Sequence, residues 1–138
     1  MAAPSVEHLI ALLFSTGRML REKGGMDDGK QTVSHLHLAT LRYVSLEKKP
    51  LMRDIATFLC ITPPSATSLV HGLVKAGHLE RVSNPEDRRH VRLALTPLGK
   101  KALTSGMKKK EELMKQVLSV LNDEEREQFA HILEKLAQ

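Results

Sequence analysis

Val82-Ser83-Asn84-Pro85-Glu86-Asp87-Arg88-Arg89-His90-Val91-Arg92-Leu93-Ala94-Leu95-Thr96 is the stretch on which the reading of this chain turns. Asn84, Pro85 and Glu86 carry turn character, and Val91, Leu93 and Leu95 alternate with Arg92 and Ala94. The pattern predicts a β-hairpin with strands over 79–83 and 91–96, the second burying one face. Its tip is then exposed and holds Arg88, Arg89 and, on the emerging strand, Arg92, beside only Glu86 and Asp87. A basic finger with no apolar reason to be ordered points to a polyanionic partner.

Upstream, Thr62-Pro63-Pro64 opens a helix: Thr62 can cap, and prolines in a first turn forfeit no intrahelical bond. Gly77 stops it as a left-handed residue. Before it, Ser34 is placed to cap a helix reaching about Lys48, with Leu38, Leu41 and Val44 or Ser45 on one side and Pro50 closing the segment. A short helix from Leu51 turns Ile55, Ala56 and Leu59 inward and ends near Cys60-Ile61. Two short helices joined by a tight turn form a helix-turn-helix, and the hairpin that follows makes it a winged helix. In the second of those helices Ala66, Leu69, Val70 and Leu73 face inward, leaving Pro64, Ser65, Thr67, Ser68, His71 and Lys75 outward. Small hydrogen-bonding side chains of this kind suit entry into a major groove. A merely solvated helix face would read the same way from this segment alone.

The flanks are helical too. Val6, Ile10, Leu13, Gly17 and Leu20 give residues 5–23 an apolar stripe, and Gly24 to Gly29 reads as a loop. Thr96-Pro97 starts a long helix expected to reach Leu121 along Leu103, Met107, Met114 and Val117, with Lys108-Lys109-Lys110 read as a solvated turn. Asn122 with Glu125 is a capping box for a last helix carrying Phe129, Ile132, Leu133 and Leu136. The fold class is therefore mainly α with a small β-hairpin. Residues 1–33 form an N-terminal helix and loop, 34–96 the winged helix-turn-helix, and 97–138 the C-terminal helices. Apolar stripes at both ends need covering, so a twofold homodimer is expected. Such a dimer sets two recognition helices about one DNA turn apart, matching palindromic duplex DNA.

Composition narrows the classes. The chain has 138 residues, 41% hydrophobic and 27% charged, which favours one folded domain over disorder. Net charge is +5, and because 123–138 holds five acidic residues against two basic, residues 1–122 carry +8. That favours acidic partners, although a basic housekeeping surface fits the charge alone. The apolar run Leu9 to Phe14 is too short for a membrane span and Met1-Ala2-Ala3-Pro4 lacks a basic leader, so a cytoplasmic protein is expected. The single Cys60 excludes an internal disulfide and a cysteine-built zinc site, and is expected to be a buried small apolar residue. His35 and His37 lie two apart, and His71 and His78 straddle Gly77; neither pair has ligand spacing, so no metal or cofactor is expected. No catalytic constellation can be placed in one site, which leaves enzymes aside.

Asp87-Arg88-Arg89-His90-Val91-Arg92-Leu93-Ala94-Leu95-Thr96-Pro97-Leu98-Gly99 resembles the wing signature of the MarR family of transcriptional regulators, and Leu69 to Arg81 resembles the end of that family's recognition helix and the start of its wing. The resemblance runs along nearly the whole chain. It implies an obligate dimer joined by both chain ends, binding operator DNA to repress or sometimes activate nearby genes. It also implies that Arg89 reaches the minor groove while Asp87 holds it, although Asp87 also fits a turn-capping role. Many members are released from DNA by phenolic or other small anionic ligands; no residue here identifies one. Many members carry a basic residue where this chain has Ser68, and an Asp-Arg pair where it has His71-Gly72, while Pro63-Pro64 remove two backbone donors. Affinity is therefore expected to lean on Arg81, Arg88, Arg89, Arg92 and the dimer. The expected function is a sequence-specific double-stranded DNA-binding repressor. A winged-helix protein-interaction module is the alternative, disfavoured by an aromatic content of only 3%.

Overall fold

A computed structural model describes residues 2–24, 35–84 and 87–138. The elements are α1 (Val6–Gly24), α2 (His35–Glu47), α3 (Met52–Leu59), α4 (Pro63–Lys75), β1 (Leu79–Asn84), β2 (Asp87–Leu95), α5 (Pro97–Leu118) and α6 (Asp123–Leu136). Their order is that of a winged helix-turn-helix with helices added at both ends. The loop expected from Gly24 to Gly29 and the Ser34 cap lie outside the described residues, apart from Gly24, which ends α1. Among the described residues no helix is long and apolar enough to cross a membrane.

Local chemistry explains the helix-turn-helix. Leu51 N–H donates to Asp54 Oδ2 at 2.9 Å, fixing the start of α3. At its end Cys60 takes a left-handed φ of 54°, Cys60 N–H reaches Thr57 O and Ile61 N–H reaches Ala56 O. With no glycine between Leu59 and Thr62, a cysteine must supply the left-handed stop, and this leaves Cys60 exposed rather than buried as the sequence suggested. Thr62 caps α4 by accepting from Ser65 N–H, with Pro63 and Pro64 in the first turn. At the far end Gly77 N–H bonds Val74 O and His78 N–H bonds Leu73 O around Gly77 at φ 81°, a complete Schellman stop.

The core gathers Leu41 and Val44 of α2, Ile55 of α3, Val70 and Leu73 of α4, Leu79 of β1 and Leu93 of β2. Ala56 and Ala66 are buried where α3 and α4 meet, and Leu69 is half-buried. Ala102 and Leu103 of α5 pack against the same cluster. Thr40 is fully buried and satisfied, its hydroxyl donating to Leu36 O at 2.7 Å.

β1 and β2 pair antiparallel, Leu79 opposite Leu95 through Ser83 opposite Val91, and then the register jumps to Asn84 opposite Asp87. The strands thus reach further toward the tip than alternation indicated, and Arg88 and Arg89 belong to β2 rather than to a loop. Only Leu93 of the expected apolar face is fully buried; Leu95 is intermediate and Val91, two rungs nearer the tip, is 40% exposed. The reason is reach: the core lies under the base of the hairpin. A third segment lines β2, where Pro50 O accepts from Leu93 N–H at 3.0 Å and Leu51 forms an isolated bridge with Arg92. To present it, Lys48 and Lys49 both turn left-handed, at φ 49° and 62°, a conformation costing about 1–2 kcal/mol per residue.

The chain divides into two compact units, 1–107 and 108–138. In the first, α1 buries no residue, and Phe14 is 74% exposed. In the second, α5 stops at Leu118, short of the expected Leu121, because Ser119 and Leu121 close tighter turns on Gln116 O and Leu118 O before the Asn122–Glu125 capping box starts α6. Lys108, Lys109 and Lys110 form a solvated turn within α5, as expected. The straight-chain lysine has good helix propensity, and neither glycine nor proline interrupts the run. On α6, Phe129, Ile132, Leu133 and Leu136 are exposed.

Two glycines separate packing from propensity. A Cβ on Gly99 would stand 1.9 Å from His78 O, whereas one on Gly72 meets nothing within 4 Å. Gly99→Ala should lose about 1–3 kcal/mol, and Gly72→Ala, inside a helix, should gain about 0.5–1 kcal/mol, both read from urea unfolding at fixed protein concentration. A second test concerns α2. His37 is held below the usual histidine range by burial and then by the neighbouring His78. Its lowered pKa means the unfolded chain takes up its proton first, so stability is full above about pH 6.5 and falls on acidification below it. His37→Gln should flatten that decline when urea midpoints of the two proteins are compared from about pH 7 to about pH 5.

Candidate nucleic-acid interface

α4 exposes one continuous polar stripe. Pro64, Ser68, His71 and Lys75 follow each other at steps of four and three, with Ser65 and Thr67 beside them, and all six are exposed. The structure also settles what two of these side chains have left to offer. Thr67 donates its hydroxyl to Pro63 O at 3.0 Å, so it presents an acceptor lone pair and a methyl group. Ser65 accepts from the Thr62 hydroxyl at 2.8 Å while its own N–H is bound to Thr62 Oγ1, which commits it partly to the cap. Lys75 is the stripe's single full charge.

The wing provides the opposite chemistry. In the register jump, Arg88, Arg89 and His90 stand between two consecutive rungs, with no residue of β1 matched to them among the described residues. Asp87 organises this bulge. Its Oδ1 accepts from Arg89 N–H at 3.1 Å and lies 3.8 Å from Arg89 Nε, while Oδ2 lies 3.4 Å from His90 Nε2. The Arg89 side chain is 92% exposed. An ion pair this open contributes about 0–1 kcal/mol, and the bond to the Arg89 N–H two residues on is that of a turn-capping carboxylate. The backbone of Arg88 is in β2, and its side chain lies outside the described residues. Arg81, on β1 opposite Leu93, is exposed. Arg92 differs from the others: it is partly buried, and its Nη1 donates to Lys49 O at 2.9 Å.

Two features escaped the sequence. His90 joins Asp87, for which the three-residue spacing was the available signal. On the helix-turn-helix surface, Tyr43 of α2 and Phe58 of α3 stack with ring centroids 4.3 Å apart and planes 14° apart. Low aromatic content gave no hint that half of the four aromatic rings would pair at the surface. Beside Cys60 runs an open groove of about 560 Å³ lined by Met52, Arg53, Ala56, Thr57, Ile61 and Pro63.

A family model described as the MarR family matches residues 33–91. The HTH-type transcriptional repressor MdtR of Bacillus subtilis is 30% identical over 109 residues, covering 79% of this chain and 70% of the relative. The chain belongs to the MarR family. Among solved structures, a mutant MarR from E. coli matches over 100% of both chains with TM-score 0.82 at 19% identity. A mutant E. coli MarR complexed with operator DNA matches over 96% of this chain and 94% of its own with TM-score 0.71 at 20% identity. At such identities the structural likeness speaks for the fold: the MarR winged helix, with its added terminal helices, is the architecture of this chain.

Removing the Asp87 carboxylate separates orientation from stability in this MarR-family wing. Asp87→Ala should move the urea midpoint by no more than about 1 kcal/mol equivalent, while hydrogen exchange of the Arg89 amide speeds up. A larger stability loss would mean that Asp87 props the hairpin instead of aiming its tip.

Proposed function

We propose that this chain is a homodimeric, sequence-specific double-stranded DNA-binding transcriptional repressor that acts on a palindromic operator and performs no catalysis. The observation that carries the reading is the pairing, within one winged helix, of a hydrogen-bonding stripe on α4 with an exposed cationic bulge aimed by a carboxylate. Pro64, Ser65, Thr67, Ser68, His71 and Lys75 would meet base edges and flanking phosphates in the major groove. The ring of Pro64 and the methyl of Thr67 suit a thymine methyl, and the acceptor on Thr67 suits an exocyclic amine. Arg88 and Arg89, with Asp87 holding the latter, would enter the narrow minor groove, where negative potential is concentrated. Arg81, exposed on β1, would meet the DNA backbone, and Arg92 belongs to the same wing.

The division of labour places DNA binding in 34–96 and dimerisation in 1–33 and 97–138. Support comes from the exposed apolar side chains of α1, among them Val6, Leu13 and Phe14, and those of α6, among them Ile132 and Leu136. Surfaces of this kind mark contact with another protein, and a second copy with twofold symmetry meets the need with one contact type. The family resemblance further implies a small anionic or phenolic effector. The alternative, a winged-helix protein-interaction module, would rest on the Tyr43–Phe58 stack; it leaves the aimed Arg89 unexplained.

The test is selection from a random duplex pool at about 0.15 M salt, with light scattering on the same preparation. The expected results are an enriched inverted repeat and twice the chain mass at micromolar concentration. Ser68→Ala or His71→Ala should change the recovered consensus while leaving the salt dependence intact. A pool recovered without enrichment overturns sequence-specific binding, and a monomer mass overturns the dimer.

A further inference from the structure

Arg92 reads in the sequence as one more cation of the wing. Its surroundings say otherwise. Unlike Arg89, it sits on the regular part of the ladder, opposite Val82, and its side chain turns back across β2 to the connector between α2 and α3. There Arg92 Nη1 donates to Lys49 O at 2.9 Å, the adjacent Leu93 N–H donates to Pro50 O at 3.0 Å, and Leu51 bridges Arg92. The connector presents these carbonyls because Lys48 and Lys49 are both left-handed. From Leu51 the chain of contacts continues through Asp54 Oδ2 at 2.9 Å into the first turn of α3, which packs on α4. One side chain thus joins the wing root to the frame of the recognition helix.

We propose that Arg92 is a positioning residue and not a phosphate ligand: it sets the angle of the wing to the helix-turn-helix, so that Arg89, three residues along the strand, arrives in the minor groove in register with α4. The inference rests on the DNA-binding reading given above. The chemistry favours it. A planar guanidinium anchored on a carbonyl loses less freedom per bond than an ammonium would, and the anchor needs a donor, not a charge. A phosphate ligand needs the charge, and its removal from both protomers of the dimer lowers the salt slope of binding by about 1.8, about 0.9 for each contact.

Arg92→Met removes the donor; Arg92→Gln keeps an amide donor without the charge. In the free protein, exchange of the Leu93 amide should speed up between about twofold and tenfold in Arg92→Met and less in Arg92→Gln. On a selected duplex, Arg92→Met should weaken binding while the slope of log K against log salt stays at the wild-type value, and Arg92→Gln should recover part of the loss. Arg89→Ala should cost much less in the Arg92→Met background than in wild type, since a misdirected Arg89 has less to lose. A slope reduced by about 1.8, equal losses for Met and Gln, and multiplying losses in the double variant would establish a phosphate contact and overturn the proposal. Unchanged Leu93 protection would overturn it as well. If the wild type binds no duplex at all, the DNA-binding reading falls, and the Leu93 amide still decides the tie. Should Arg92→Met fail to fold by circular dichroism, Arg92→Gln carries the same exchange, slope and double-variant comparisons.

Discussion

Thr96 joins three elements at one point. Its N–H donates to His78 O at 3.1 Å, its hydroxyl donates to Gly77 O, and the same hydroxyl accepts from Gly99 N–H at 2.9 Å. The end of α4, the base of the hairpin and the first turn of α5 are thereby closed on one another. The closure requires backbone to meet backbone, which is why Gly99 has no room for a Cβ beside His78 O. It also places Leu79 and Leu95 opposite each other as the first rung of the wing, directly over the core leucines. The hairpin therefore has a rigid base and a progressively solvated tip.

That gradient separates a held base from an open tip. The base is held by apolar burial and by the connector running through Pro50 and Leu51; among the described residues, Asp87 makes the side-chain contacts of the bulge. Because an exposed ion pair contributes so little, the proposed binding would exchange the contacts of Asp87 for those of a polyanion at small cost. α4 is the reverse case, capped firmly at Thr62 and Gly77 and carrying one full charge on its exposed stripe. A stripe with one lysine can neutralise few phosphates, although its hydroxyls can hydrogen-bond base edges and phosphate oxygens alike. On the proposed reading, the wing would supply a large share of the affinity, and the helix a large share of the selectivity.

Much of this was legible in the residues, and the reason is locality. Caps act over three or four positions, so Thr62 with its prolines, Gly77, and Asn122 with Glu125 announced their helix ends. Helical periodicity likewise marked Leu38, Leu41 and Val44, and Ala66, Val70 and Leu73, as the inward faces. What stayed hidden joins distant parts or breaks a residue preference. Arg92 and Lys49 are 43 positions apart. Lys48, Lys49 and Cys60 adopt left-handed backbone that their side chains do not favour, so nothing announces the connector or the exposed thiol. The bulge at Arg88, Arg89 and His90 is a property of register, which two-residue alternation cannot reveal. The α5 end slipped because Ser119 to Leu121 continue the apolar spacing although the chain is already turning toward the next cap.

The claim that the wing carries the affinity is open to one direct measurement: the salt dependence of operator binding for the wild type and for a chain in which Arg88, Arg89 and His90 are all alanine. The account predicts a steep wild-type slope of log K against log salt, and a variant that remains a folded dimer but loses about 3.6 units of that slope, about 0.9 for each of the two arginines in each of the two protomers. A variant with the wild-type slope and affinity would contradict it, and would move the binding surface away from the bulge that Asp87 organises.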